Sequence, residues 1–184
     1  MKTLIERLLK ENEAEHSYGC TMVSIPKDLA TKILQFTLSI DPEDIYEETY
    51  DDSYGLELDP HITIKYGIVE DGVEEDLRVL AKQDITATLG ELSIFDNAET
   101  DKDFEVLKFD IDSQDLIDLN GKISSEITCH DPHPNYQAHL TIAYLKPGTG
   151  KKYLGKSDLA GSTFTRDYFW YSTKTGNKIK IEIN

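Results

Sequence analysis

An α+β fold of two similar β-rich lobes, with helices on their outer sides, is what the sequence predicts, and three features carry that expectation. The segments "HITIKY" at 61–66 and "HLTIAY" at 139–144 are strand-like and match position by position. Each follows a strand-like and then a helix-like segment, in the same order. No linker rich in Pro, Gly and Ser divides the 184 residues, a length that one ordinary domain accounts for. Residues 1–184 are therefore expected to be a single bilobal domain, with 1–17 as an accessory N-terminal helix.

The elements follow in chain order. Leu4, Ile5, Leu8 and Leu9 stand at helical spacing within 3–14. "YGCTMVSI" at 18–25 alternates in strand formers, and Pro26 opens a helix to about Ile40, since proline is tolerated in a first turn. The stretch 41–59, "DPEDIYEETYDDSYGLELD", is acidic and aperiodic and reads as a surface loop. After the first motif strand come a helix at about 71–82 and two strands, "ITATLGELSIF" and "FEVLKFDI", joined by an acidic turn at 96–103. Leu116, Ile117, Leu119, Ile123 and Ile127 give 113–127 a helical stripe, and the loop "CHDPHPNY" leads to the second motif strand at 138–145. A hairpin turning near Gly176 and Asn177 closes the chain, with Ile179, Ile181 and Ile183 alternating in its last strand.

Hydrophobic residues make up 39 % and charged residues 29 %, the balance of a soluble globular protein, and no apolar run nears the roughly 20 residues that span a bilayer. Glu6, Arg7, Lys10 and Glu11 interrupt the N-terminal leucines and exclude the core of a secretory signal, which predicts a cytoplasmic location. Acidic residues number 35 and basic residues 19, for a net charge of −16. Such a surface repels long polyanions, so the expected partner is a small substrate, with no long duplex nucleic acid and no membrane. Oligomeric state has no signature in the sequence. Cys20 and Cys129 are far apart and belong to no ligand pattern, so neither a disulfide framework nor a zinc site is expected. His130, Asp131 and His133 are close together, but the prolines at 132 and 134 impose an extended turn without a tetrahedral set; no metal and no cofactor is predicted. His16 reads as a helix end.

Side chains alternate across a strand. His61, Thr63 and Lys65 are therefore expected on one face, with Ile62, Ile64 and Tyr66 on the other. His139, Thr141 and Ala143 likewise oppose Leu140, Ile142 and Tyr144. The apolar faces can bury in the lobe cores, which turns the two His/Thr faces toward one cleft. Such a pair suits transfer at a phosphodiester. A neutral imidazole removes a proton from an attacking hydroxyl, a protonated one donates to the leaving oxygen, and each is worth roughly 10²–10⁴ in rate. Thr63 and Thr141 would donate to non-bridging oxygens as charge builds, and Lys65 would add a positive charge. One His-x-Thr on a strand means little; the repeat in matched register is the signal.

"HITIKY" and "HLTIAY" resemble the paired His-x-Thr motifs of the 2H phosphoesterase superfamily, whose members include RNA 2′,3′-cyclic phosphodiesterases and 2′-5′ RNA ligase-like proteins. Both motifs are intact, and the order of elements extends the resemblance from about residue 18 to the end. It implies a bilobal pseudo-twofold fold, two mainly antiparallel sheets lining a central cleft, metal-independent catalysis, acid/base roles for His61 and His139, and phosphate contacts from Thr63 and Thr141. "YGCTMVSIP", "PHITIKYG", "HLTIAYLKPG" and the aromatic closing strand are also similar to small phage proteins that degrade the cyclic oligonucleotide signals of bacterial CBASS defence. That likeness implies attack of a ribose 2′-hydroxyl on the adjacent 3′-5′ phosphodiester, opening the ring and leaving a 2′,3′-cyclic phosphate.

Nucleotides need flat faces, since stacking contributes about 1–3 kcal/mol per base. In "DYFWYS" Tyr168 and Trp170 share one face and Phe169 and Tyr171 the other, so one pair can line the cleft while the other fills the core. Trp170 with Tyr168 is the favoured platform, and Tyr18 is the alternative. Three functions compete: cleavage of cyclic or short oligonucleotides, RNA end processing, and a non-catalytic sponge. Two intact histidines favour the enzymes, because binding a phosphate needs charge but no matched acid and base.

Overall fold

The computed structural model describes residues 17–48, 53–95, 103–130 and 135–183. The helix expected over 3–14, His16, most of the turn at 96–103, and Asp131 and His133 lie outside them. The elements are β1 (Gly19–Ser24), α1 (Lys27–Thr37), β2 (His61–Ile68), α2 (Glu74–Leu80), β3 (Ile85–Phe95), β4 (Glu105–Asp112), α3 (Gln114–Glu126), β5 (His139–Leu145), β6 (Thr163–Arg166), β7 (Tyr168–Ser172) and β8 (Lys178–Glu182). Helix boundaries follow local chemistry. Pro26 stands at the N-cap of α1 and lends its carbonyl to Ala30 N–H at 2.8 Å. Ser113 caps α3 by accepting from Leu116 N–H at 3.2 Å, while its hydroxyl donates to the Thr86 carbonyl at 2.6 Å. Leu116, Leu119 and Ile123 are the buried stripe of that helix.

Two antiparallel four-stranded sheets result, ordered β2-β1-β7-β8 and β5-β4-β3-β6. They correspond strand for strand, with a motif strand at the edge of each, and they line the central cleft. The closing hairpin β7-β8 completes the first sheet, with Gly176 of its turn at φ 81. Buried side chains from both sheets and all three helices form the core, including Ile62, Ile64, Phe109, Leu140, Ile142 and Phe169, each 0 % exposed.

The two halves are crossed. The chain after α1 runs along the free edge of β5 in the opposite sheet, through bridges Ile45–Leu145 and Leu56–Ala143 and hydrogen bonds Tyr46 N–H to Tyr144 O (3.0 Å) and Tyr144 N–H to Gly55 O (2.8 Å). The stretch 41–59, expected as a surface loop, is thus partly a strap that closes a sheet edge. Reciprocally, the chain after α3 closes the edge of β2: Ile68 bridges Cys129, Val69 N–H donates to Thr128 O at 3.0 Å and His130 N–H to Gly67 O at 2.7 Å. Each connector therefore holds the other sheet's motif strand in place.

Both motif strands carry a bulge at the same point. Met22 pairs with Thr63 and Thr21 with Lys65, leaving Ile64 without an opposite residue; Lys108 pairs with Thr141 and Leu107 with Ala143, leaving Ile142 extra. The extra residue resets the alternation. Ile64 and Lys65 are both buried and Tyr66 is 48 % exposed, while Ile142 and Ala143 are both buried and Tyr144 half-buried. Strict alternation had put Lys65 with His61 and Thr63, Ala143 with His139 and Thr141, and the two tyrosines opposite. The bulges overturn that: Lys65 and Ala143 turn inward, and Tyr66 and Tyr144 take the more open side.

Candidate active site

β2 and β5 lie against each other where the two sheets meet, and Tyr136, three residues before His139, donates its hydroxyl to the Thr63 carbonyl at 2.8 Å. The two imidazoles are within electrostatic reach of each other. Their local geometry is the same. His61 Nδ1 lies 2.7 Å from the Asp59 carbonyl and His139 Nδ1 lies 2.8 Å from the Gln137 carbonyl. A carbonyl oxygen only accepts, so each Nδ1 carries the hydrogen, and each Nε2 is left as the position that exchanges a proton. Thr63 and Thr141 are half-buried beside their histidines.

The flanking strands make the two walls chemically different. In the first sheet Ser24 stands opposite His61 and Met22 opposite Thr63, with Trp170 next to Met22 and Lys180 next to Trp170. Tyr168 meets Ser24 Oγ at 3.5 Å, has the Lys180 ammonium 4.1 Å from its ring centre, and contacts Trp170 edge-on at 5.9 Å. Lys178 reaches Asp59, at 3.2 Å. In the second sheet Asp110 stands opposite His139 and Lys108 opposite Thr141. The Lys108 ammonium donates to Ser93 Oγ at 2.8 Å and to Asp110, and Ser93 donates to Asp110 at 2.9 Å. Phe95 packs edge-on against His139 with ring centres 4.8 Å apart.

Burial pushes the His139 imidazole below its ordinary value, the Gln137 carbonyl and Asp110 oppose this, and the positive charges of Lys108 and His61 add to the depression. Burial acts against ionisation of Asp110, but hydrogen bonds from Lys108 and Ser93 outweigh it and hold the carboxyl below its usual range. The Cys20 thiol is pushed up to about 12 by burial, which leaves it inert at neutral pH.

No family model and no curated protein matches the sequence. Solved structures do. Escherichia coli LigT superposes with a TM-score of 0.56 at 13 % identity, covering 93 % of this chain and 96 % of that one. Kluyveromyces marxianus Usb1 bound to uridine monophosphate gives 0.55 at 9 %, covering 92 % and 99 %. TT0787 of Thermus thermophilus gives 0.56 at 13 %, covering 90 % and 95 %. The fold is that of the 2H phosphoesterases.

On this 2H fold the four motif residues His61, Thr63, His139 and Thr141 come from two edge strands that meet at the sheet junction. Lys65 does not join them: it is 3 % exposed, turned inward by the bulge at Ile64. Trp170 and Tyr168 are half-buried on one face of β7, while Phe169 and Tyr171 are fully buried on the other. Tyr18 lies edge-on to Tyr66 at 5.8 Å and stacks on His130 at 5.1 Å. Sequence reasoning missed Lys108, Asp110 and Ser93. Their one signal was the "KFD" of β4, a lysine and an aspartate two apart, whose importance depends on β4 pairing with β5. Among the described residues no group of three His, Cys, Asp or Glu side chains is placed to hold a metal ion, and no helix is long and apolar enough to cross a membrane.

Proposed function

We propose that the protein is a metal-independent phosphodiesterase that opens small cyclic oligonucleotides at a 3′-5′ bond, acting as a phage counter-defence (anti-CBASS) enzyme in the host cytoplasm. The observation that carries this reading is the matched pair of imidazoles, each fixed through Nδ1–H to the carbonyl two residues earlier, on motif strands that meet. A base and an acid are what the reaction needs. One Nε2 takes the proton of the ribose 2′-hydroxyl, whose oxygen attacks the adjacent phosphorus. The bond to the 5′-oxygen breaks, and that oxygen takes a proton from the other Nε2. The products are a 2′,3′-cyclic phosphate and a 5′-hydroxyl, and the imidazoles exchange protonation states. Thr63 and Thr141 donate to the non-bridging oxygens. Trp170 with Tyr168, or Tyr18, offers a face to a base. The net charge of −16 supports a small ring over a long polyanion, and Lys108, Lys178 and Lys180, each paired with a carboxylate, stand on the strands beside the motifs.

A second reading, opening of terminal 2′,3′-cyclic phosphates or processing of 2′-5′ links, has support in the mononucleotides held by structural neighbours: Usb1 with uridine monophosphate and LigT with 3′-AMP. Incubation with cyclic di- and trinucleotides and with nucleoside 2′,3′-cyclic phosphates in EDTA separates the readings. Ring cleavage creates a terminal cyclic phosphate, and end processing consumes one. Loss of all turnover on chelation would contradict the metal-independent mechanism.

A further inference from the structure

The two histidines are held alike, so something else must give the site a direction. The strands beside them differ where they matter: Met22 and Ser24 face the first motif, and Lys108 and Asp110 occupy the equivalent positions against the second. We propose that Lys108 is a positioning residue that commits His139 to accepting the proton from the attacking hydroxyl and leaves proton donation to His61; this rests on the reaction proposed above.

The argument is one of unequal screening. Lys108 is 5 % exposed, and its ammonium sits 4.3 Å from the centre of the Phe95 ring, which makes a T-shaped contact with the His139 ring. Its counter-ion Asp110 has a side chain 55 % exposed, against 7 % for Lys108. Water reaches more of the carboxylate than of the ammonium, so the positive charge is the less screened of the two at His139 and opposes an imidazolium there. Among the other charged groups near β5, the Glu57 carboxylate on the strap accepts from Asp59 N–H at 2.8 Å. His61 on β2 adds positive charge when protonated. The buried face of α1 is Ile33 and Thr37. In the strap along β5, Asp44 is engaged by Lys152 at 2.5 Å and by Tyr153, and Asp59 by Lys178. No charged residue from β1 stands opposite His61: Ser24 takes the position that Asp110 holds beside His139.

The test is the titration of the imidazole C–H resonances by NMR in the free protein, assigned with His61→Ala and His139→Ala. Lys108→Met is expected to move the His139 midpoint to higher pH and leave that of His61 in place. Asp110→Asn moves His139 the opposite way, and serves as the readout if Lys108→Met fails to fold. In the same variants the acid limb of the cleavage pH profile follows the His139 midpoint. A His139 midpoint that stays fixed in both variants, or a His61 midpoint that moves as far, overturns the proposal. Midpoints that shift as expected in a protein that cleaves no phosphodiester would instead sink the functional reading beneath it.

Discussion

His61 and His139 each give Nδ1–H to a carbonyl of their own strand's approach, and that single hydrogen bond leaves Nε2 as the nitrogen open to proton exchange. Replacing either by alanine is expected to lower kcat roughly 10²–10⁴-fold while the protein stays folded, as measured by steady-state kinetics alongside circular dichroism. The depressed affinity of His139 for a proton sets the pH response. The unfolded chain binds that proton near 6.5 and the folded chain only at lower pH. The stability linked to this group is therefore complete above about 6.5 and is lost as pH falls through the folded value. Ring-opening activity in the wild type should hold down to that window and decline below it. A chemical-denaturation series in small pH steps, compared with His139→Gln, isolates the contribution: the variant lacks this part of the acid slope. At this scale the sequence displayed the motif residues, because His-x-Thr repeats within one strand. It hid Lys108, because a partner across a ladder depends on register that only the folded sheets define. It misplaced Lys65, because an extra residue in a strand leaves no mark on composition.

The bulge, the straps and the short helices form the next level. Ile64 occupies the bulge of β2, and its carbonyl is taken by Asn120 Nδ2 from α3 at 2.6 Å. Asn120→Ala should cost about 1–3 kcal/mol, since the carbonyl is left without its donor, and should reduce turnover because the bulge lies next to Thr63. Gly67 has φ 94, and a methyl group there would lie 1.8 Å from the His130 carbonyl that runs along the edge of β2. Gly67→Ala is therefore expected to cost at least about 2 kcal/mol, read as a lowered urea midpoint. The helices were legible from Pro26 and from apolar spacing, both local signals; the Ser113 cap was not read from the sequence. The described strap segments at 41–48 and 53–59 were not legible, since their order comes from the free edge of a strand far along the chain, and their acidic side chains say only that they meet water.

At the scale of the molecule, the pseudo-twofold arrangement brings two ordinary edge strands together and so groups candidate site residues that neither sheet has alone. The repeat in the sequence announced this symmetry, but not that the first sheet takes its last two strands from the end of the chain. The charge of −16 belongs to this level too. Long duplex RNA should compete poorly with a cyclic trinucleotide at low salt, where repulsion reaches furthest, and a competition assay over a salt series should show the disadvantage shrinking as salt rises. The central claim is that both imidazoles act on one phosphate to open a ring. Because 2′-hydroxyl attack is an isomerisation, mass alone does not reveal it. The decisive measurement is chromatography with ³¹P NMR of a cyclic oligonucleotide panel incubated in EDTA. The expected result is a linear product of unchanged mass with a five-membered cyclic phosphate, formed by the wild type and abolished in both histidine variants. Rings left intact, or cleavage that survives the loss of either histidine, would contradict it.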